Sequence, residues 1–300
     1  VTGVQTCALP ISLGNGANTV VSGAGNDAIV AGNGGNNVDA GDGNDNVTTG
    51  SGNDTISTGN GNNVVTAGAG NDTITLGTGL DTVDAGAGDD IIIAGANFDA
   101  SGTTTPAPST VQDSIIGGDG ADELRINAGS VDANFRNVSS IETLTLQTAG
   151  NTTLQGNNVV APGTSFAQAA GIRTINAKNA GNDVVDASTF SVDLTVNLTA
   201  GTDNVATGSG SDTFNITGLD DSDVLNAGAG VDVLNLDADT TLTAANGVAG
   251  FETINLDTGR NNATVDANQY NLVIDNDNAP NPNVLNAGVL TVDGSALQAA

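Results

Sequence analysis

The sequence contains no histidine, no methionine and no tryptophan, and a single cysteine, Cys7. Without histidine, a Ser–His–Asp triad and a histidine-bound zinc site are excluded. One cysteine makes neither an internal disulfide nor a thiolate metal cluster. Aromatic residues make up 2% of the chain, too few for a conventional core of large rings. Bases are equally scarce: Arg125, Arg136, Arg173, Lys178 and Arg260 stand against 34 acids, and the net charge is −29. Such a chain repels nucleic acid and anionic membrane surfaces and attracts cations. No apolar run approaches the length of a membrane span, so membrane insertion is not expected. No secretory signal peptide is evident.

What the chain does have is glycine, 42 residues of it, in a strict period. Glycine recurs at 14, 23, 32, 41, 50, 59, 68, 77, 86 and 95, and again two residues later from Gly16 to Gly88. The fifth position of each unit is Asn18, Asp27, Asn36, Asp45, Asp54, Asn63, Asp72, Asp81 and Asp90. The seventh is Val20, Ile29, Val38, Val47, Ile56, Val65, Ile74, Val83 and Ile92. Paired glycines permit a tight turn with positive φ. The residues after them are strand formers with one large apolar side chain pointing inward. Each unit therefore reads as a turn plus a short strand, and two units as one flattened coil of about eighteen residues, the sum of two repeats. Burying a Val or Ile is worth about 1.5–3 kcal/mol, whereas ordering the backbone costs about 1–2 kcal/mol per residue. The apolar columns alone are too weak, and the turns need another source of cohesion.

The units Gly50-Ser-Gly52-Asn-Asp54-Thr-Ile56 and Gly68-Ala-Gly70-Asn-Asp72-Thr-Ile74 resemble the RTX family, the hemolysin-type calcium-binding nonapeptide repeats of secreted bacterial proteins. The sequence departs from the pattern where the first consensus glycine is replaced, as at Ala31, Thr49, Ala67 and Leu76, and where Asn18, Asn36 and Asn63 stand for aspartate. The resemblance implies an all-β fold: a parallel β-roll or β-solenoid of nonapeptide repeats, followed by a wider β-solenoid-like region. It also implies several Ca²⁺ ions held between turns of neighbouring coils by backbone carbonyls and by Asp from repeats n and n+2. Carried onto this chain, one edge stacks Asn18, Asn36, Asp54, Asp72 and Asp90, and the other Asp27, Asp45, Asn63, Asp81 and Asp99. The full pairs are Asp54/Asp72, Asp72/Asp90, Asp27/Asp45 and Asp81/Asp99. With the later repeats, the metal ligands expected are Asp27, Asp45, Asp54, Asp72, Asp81, Asp90, Asp99, Asp122, Asp212 and Asp232. A metal-free solenoid closed by Asn and Asp ladders is the competing reading, opposed by the repulsion of stacked carboxylates.

Four segments follow. Residues 1–11 read as a non-native stretch resembling translated sequencing adapter, which leaves the genuine chain open at its N-terminus and without cysteine. Residues 12–97 are the calcium-binding β-roll. Residues 98–112, with Pro106 and Pro108, are a linker. Residues 113–300 are β-rich, with interspersed repeats at Gly118–Leu124, Gly208–Phe214 and Gly228–Leu234. Within them Asp122 precedes Glu142 by the same spacing as Asp232 precedes Glu252, as in a duplication. Glu142 and Glu252 read as strand-end residues rather than ligands, and Asn276–Pro280 as a plain turn.

No pair among so many similar acids stands out as a glycosidase dyad, and no Gly-Lys-Ser/Thr follows the glycine turns to make a phosphate loop. The expectation is a non-enzymatic calcium-binding structural segment of a secreted or surface-layer protein, extracellular or at the bacterial cell surface. It would be exported by type I secretion and fold on Ca²⁺ afterwards, with self-assembly or a cell-surface polysaccharide as further partners. The alternative is a secretion and folding module of a larger exported enzyme or adhesin.

Overall fold

The computed structural model describes residues 10–94, 98, 113–127, 135–154, 165–177, 181–219, 222–236, 248–257, 264–265, 271–275 and 291–292. Cys7, Asp99, Lys178, Arg260 and the Asn276–Pro280 turn lie outside them. The chain forms two compact units, Val1–Thr145 with Phe166–Ile172, and Leu146–Ser165 with Arg173–Ala300. Both are parallel β-solenoids, as the repeat predicts.

In the first unit, successive repeats alternate between two parallel sheets. One sheet pairs Thr19–Val21, Asn37–Asp39, Thr55–Ser57, Thr73–Thr75, Ile91–Ile93 and Glu123–Ile126 in turn. The other pairs Pro10–Ser12, Ala28–Val30, Asn46–Thr48, Val64–Ala69, Thr82–Ala87, Ser114–Asp119 and Val138–Ser139. Pro10 and Ile11, set apart from the repeat on sequence grounds, thus sit in the first strand, with Ile11 opposite Ile29.

The register puts like residues over like. Val20 lies opposite Val38, Val38 opposite Ile56, Ile56 opposite Ile74 and Ile74 opposite Ile92. These side chains are buried, whereas their strand neighbours Thr55 and Thr19 are exposed. That is the period-two alternation of a sheet with one wet face. The small ninth-position residues Ala40, Ala67 and Ala85 are buried beside the turns. The coil also runs on beyond residues 98–112: Ile115 pairs with Val83, and Leu124 with Ile92. Phe98 and Phe135 meet edge to face, centroids 5.4 Å apart.

The second unit repeats the architecture, with strands of four or five residues in one sheet and of two or three in the other. Thr174–Ala177, Thr195–Leu198, Thr213–Ile216, Val233–Leu236, Thr253–Asp257 and Asn271–Asp275 form one sheet. Asn151–Thr153, Val184–Asp186, Asn204–Ala206, Val224–Asn226 and Val248–Ala249 form another. Strands such as Thr213–Ile216 bury two residues, Phe214 and Ile216, where a strand of the first array buries one. Asp203 and Asp223, or Asp212 and Asp232, occupy equivalent positions 20 residues apart, while Leu194 and Asp212 are 18 apart. Their outer face carries an asparagine ladder in which Asn197 Nδ2 donates to Asn176 Oδ1 at 2.7 Å and Asn215 Nδ2 to Asn197 Oδ1 at 2.8 Å. Among the described residues no helix is long and apolar enough to cross a membrane.

Candidate metal centre

The turns are held by glycine geometry. Gly41 has φ +88°, and a Cβ there would lie 1.8 Å from the Gly23 carbonyl oxygen. Only glycine lets neighbouring turns stack this closely. The close approach brings the fifth-position residues into two continuous columns, one along each edge.

Along one edge, Asn36 N–H donates to Asp54 Oδ1 at 2.6 Å, Asp54 N–H to Asp72 Oδ1 at 2.7 Å and Asp72 N–H to Asp90 Oδ1 at 2.7 Å. The column continues from Asp90 N–H to Asp122 Oδ1 at 2.9 Å. Along the other edge, Asp27 N–H donates to Asp45 Oδ1 at 2.8 Å, Asp45 N–H to Asn63 Oδ1 and Asn63 N–H to Asp81 Oδ1, both at 2.9 Å. Asp81 N–H then donates to Asp113 Oδ1 at 2.8 Å. The neighbour of Asp81 in the column is therefore Asp113, not Asp99. The insertion lengthens one connection without breaking the stack, so counting on by eighteen points to the wrong residue.

One oxygen of each aspartate closes this ladder. The other, Oδ2, is buried without a hydrogen-bond partner in Asp45, Asp54, Asp72, Asp81, Asp90, Asp122, Asp212 and Asp232. The asparagines show what surrounds it. Asn63 Oδ1 serves the ladder as an aspartate oxygen does, while its Nδ2 donates to the carbonyls of Gly59 and Gly61 at 3.4 and 3.0 Å. Asn18 Nδ2 donates likewise to the carbonyls of Gly14 and Gly16 at 3.0 and 2.8 Å. By the repeat, aspartate places Oδ2 where asparagine places an N–H donor, against acceptor carbonyls and with no proton to share. A buried oxygen so placed is costly unless a cation lies between.

The ionisation of these groups reflects the same conflict. Burial pushes the Asp72 carboxyl up to about 7, reinforced by the charges of Asp54 and Asp90 and opposed by the Asp54 N–H bond. Burial likewise raises Asp81, Asp122 and Asp232 to about 6, with Asp113, Asp90 and Asp212 respectively adding repulsion. Asp45, Asp90, Asp113 and Asp212 are also raised, chiefly by burial. The donor set is hard oxygen throughout, which suits Ca²⁺ and its tolerance of irregular coordination. Among the described residues no three acidic side chains converge, so an ion here would combine at most two carboxylates with main-chain carbonyls.

In the second unit, Asp212 N–H donates to Asp232 Oδ1 at 2.6 Å. A further column, Asp183–Asp203–Asp223, links by N–H to Oδ1 bonds of 2.9 and 2.7 Å. These three, with Asp113, are column members beyond the ten residues singled out in the sequence. For Asp183, Asp203 and Asp223 the signal was a spacing of twenty rather than eighteen, and for Asp113 it was the repeat that restarts after the insertion at Asp113-Ser-Ile115. Glu142 and Glu252 are column members too: Asp122 N–H donates to Glu142 Oε2 at 2.9 Å and Asp232 N–H to Glu252 Oε2 at 2.7 Å. A second ladder, of opposite direction, lines the exposed rim, where Asn44 N–H donates to Asn26 Oδ1 and Asn62 N–H to Asn44 Oδ1 at 2.8 and 2.7 Å.

Comparison with known families gives one match. The pattern described as RTX calcium-binding nonapeptide repeat (4 copies) matches residues 12–47, 39–74, 48–83, 66–99, 112–130, 197–234 and 215–240. Together these stretches span half the chain. No curated protein and no solved structure matches it.

Proposed function

The chain belongs to the RTX calcium-binding nonapeptide repeat family, and from that premise we propose that it is a structural segment of a secreted or surface-layer bacterial protein that folds on Ca²⁺ after export. Its repeats bind several calcium ions, as the family does. The ligands we assign are Asp27, Asp45, Asp54, Asp72, Asp81, Asp90, Asp113, Asp122, Asp212 and Asp232, each acting with turn carbonyls. Asp99, outside the described residues, gives up its place beside Asp81 to Asp113.

The observation that carries this reading is the buried, unpartnered Oδ2 of Asp45, Asp54, Asp72, Asp81, Asp90, Asp122, Asp212 and Asp232. Without an ion, the columns set carboxylates against carbonyls and against one another, and the glycine-rich chain has little else to order it. With an ion, the same atoms become the bond between coils. Folding and binding are then one event. Extracellular modules bind Ca²⁺ at about 10⁻⁴–10⁻³ M, so the chain would stay unfolded in a calcium-poor cytoplasm and fold outside.

The test is the Ca²⁺ concentration at which the hydrodynamic radius of the full chain collapses. A midpoint between about 10⁻⁴ and 10⁻³ M supports folding after export. Collapse at submicromolar Ca²⁺ would contradict it, because the chain would then fold before leaving the cell.

A further inference from the structure

We infer that Asn15, Asn33 and Asn60 are sites of spontaneous deamidation that the stacked coils hold shut, and that conversion of Asn33 opens Asn15 in the preceding coil. These sites depend on the stacking of the coils, whatever ion the columns bind.

Each of the three sits in a Gly-Asn-Gly turn, before Gly16, Gly34 and Gly61 respectively, and each is exposed to water. Asparagine before glycine is chemically labile, because a residue without Cβ leaves its amide nitrogen free to reach the neighbouring side chain. The glycine N–H loses its proton, and the nitrogen bonds to Asn Cγ while Nδ2 leaves as ammonia. Water then opens the cyclic imide. Opening at Cγ gives aspartate. Opening at the main-chain carbonyl gives isoaspartate, whose extra methylene lies in the backbone. One water is consumed, one ammonia is released and one negative charge is gained.

In the folded coil the attacking nitrogen is committed elsewhere. Gly16 N–H donates to the Asn33 carbonyl at 2.5 Å, Gly34 N–H to the Ser51 carbonyl, and Gly61 N–H to the Thr78 carbonyl at 2.6 Å. The side chains are held from neighbouring coils too. Asn15 Oδ1 accepts Asn33 N–H at 3.0 Å, and Asn33 Oδ1 accepts Ser51 N–H at 3.2 Å. Asn60 Oδ1 accepts the Thr78 hydroxyl at 2.7 Å, and its Nδ2 donates to Asp42 Oδ1 at 2.8 Å. Access of water is therefore not what limits the reaction, which waits for the next coil to lift away.

Asn33 matters beyond its own turn. Both groups that hold Asn15 belong to it: its carbonyl takes Gly16 N–H, and its N–H binds Asn15 Oδ1. Its turn also packs without slack on the preceding coil. A Cβ on Gly32 would lie 2.7 Å from Asn15 Oδ1, and one on Gly34 2.9 Å from the Gly16 carbonyl carbon. A backbone lengthened by a methylene at residue 33 cannot keep that contact and both hydrogen bonds. Isoaspartate at 33 thus frees Asn15 to react in turn. Asn60, held by Asp42 and Thr78 on the opposite edge, is left as it was.

The first base in the chain is Arg125, so trypsin releases all three asparagines on one peptide, and fragmentation mass spectrometry reads which of them have converted in the same molecule. The full chain is incubated at mildly alkaline pH in urea and, in parallel, in Ca²⁺ with folding followed by circular dichroism. In urea all three are expected to convert at one rate, since their neighbours are the same. In the folded chain they should be slower by about tenfold or more, the factor given by an opening that is about one-tenth populated. There, molecules converted at both 15 and 33 are expected to exceed the product of the two separate fractions, and those converted at both 15 and 60 to equal it. Conversion as fast in the folded chain as in urea would overturn the protection. Joint conversion of 15 and 33 at the product, or equal enrichment of both pairs, would overturn the coupling, the second because damage would then open the whole stack. A chain that folds without calcium gives the same comparison, so failure here and failure of the calcium reading are told apart.

Discussion

Asp72→Asn should change the stability of the fold in opposite directions with and without calcium. Asp72 sits mid-column: its Oδ1 accepts Asp54 N–H and its own N–H donates to Asp90 Oδ1. Asparagine preserves both bonds. It replaces the buried, unpartnered Oδ2 by an amide nitrogen, which can donate to turn carbonyls as Asn63 Nδ2 does to Gly59 and Gly61. In chelator the variant therefore gains up to two hydrogen bonds, each worth about 0.5–1.5 kcal/mol, and loses a like-charge contact on each side. It should be more stable than the parent by about 1–3 kcal/mol, on that bond value. In calcium the balance reverses. Asp72 belongs to two pairs, with Asp54 and with Asp90, so two ions are weakened. Each site at a hundred times its Kd contributes about 2.7 kcal/mol, and loss of both costs up to about 5 kcal/mol on the same relation. Circular dichroism reads both signs: the variant should show more β structure than the unfolded parent in chelator, and should unfold at lower urea than the parent in excess Ca²⁺. A variant with no more β structure than the parent in chelator and no loss in Ca²⁺ would refute the reasoning, because the carboxylate would then not be answering to an ion.

Three other perturbations probe the same physics. Asn63→Asp makes the reverse change in the other column, between Asp45 and Asp81. It should raise the number of ions counted by isothermal titration calorimetry and destabilise the metal-free fold. The pH dependence should also split. The folded carboxyls of Asp72 (about 7) and of Asp81, Asp122 and Asp232 (about 6) lie above their ordinary value of 3.8. The folded chain therefore binds more protons than the unfolded one across that interval. In chelator, stability should rise as pH falls from about 7 towards 4 and be lost again as pH rises through the same interval. In calcium, where protons compete with the ion, thermal melting should show the opposite slope. Gly41→Ala should cost about 1–2 kcal/mol through its left-handed backbone alone, and more through overlap with the Gly23 carbonyl. Chemical denaturation in excess Ca²⁺ measures it.

The nine-residue period made the first array legible, because one glycine pair, one acid and one branched side chain recur without a slip. Strict recurrence fixes register, and register fixes which side chains stack. The same regularity misled at Asp99. A column is a relation in space, and it passes across an insertion to Asp113 as long as the strands on either side still pair. In the second unit the signal changed wavelength. Asp183, Asp203 and Asp223 recur at twenty, whereas Val196 and Leu198 still pair with Phe214 and Ile216 at eighteen, so no single period runs through this unit. Glu142 and Glu252 looked like isolated acids because the pattern called for aspartate. Their place in the column follows from hydrogen bonds that no local motif encodes. The difference between Asn63 and Asp72 was visible as a letter, but its meaning came from the carbonyls that the asparagine amide touches.

The central claim is that an ion, not the polypeptide alone, holds the columns together. Far-ultraviolet circular dichroism of the full chain, starting in chelator and titrated with Ca²⁺ or Mg²⁺, tests it most directly. An unfolded spectrum is expected in chelator, with a cooperative change to β structure on adding Ca²⁺ and none at equal Mg²⁺. A β spectrum already complete in chelator and unchanged by Ca²⁺ would contradict it and identify the columns as metal-free ladders.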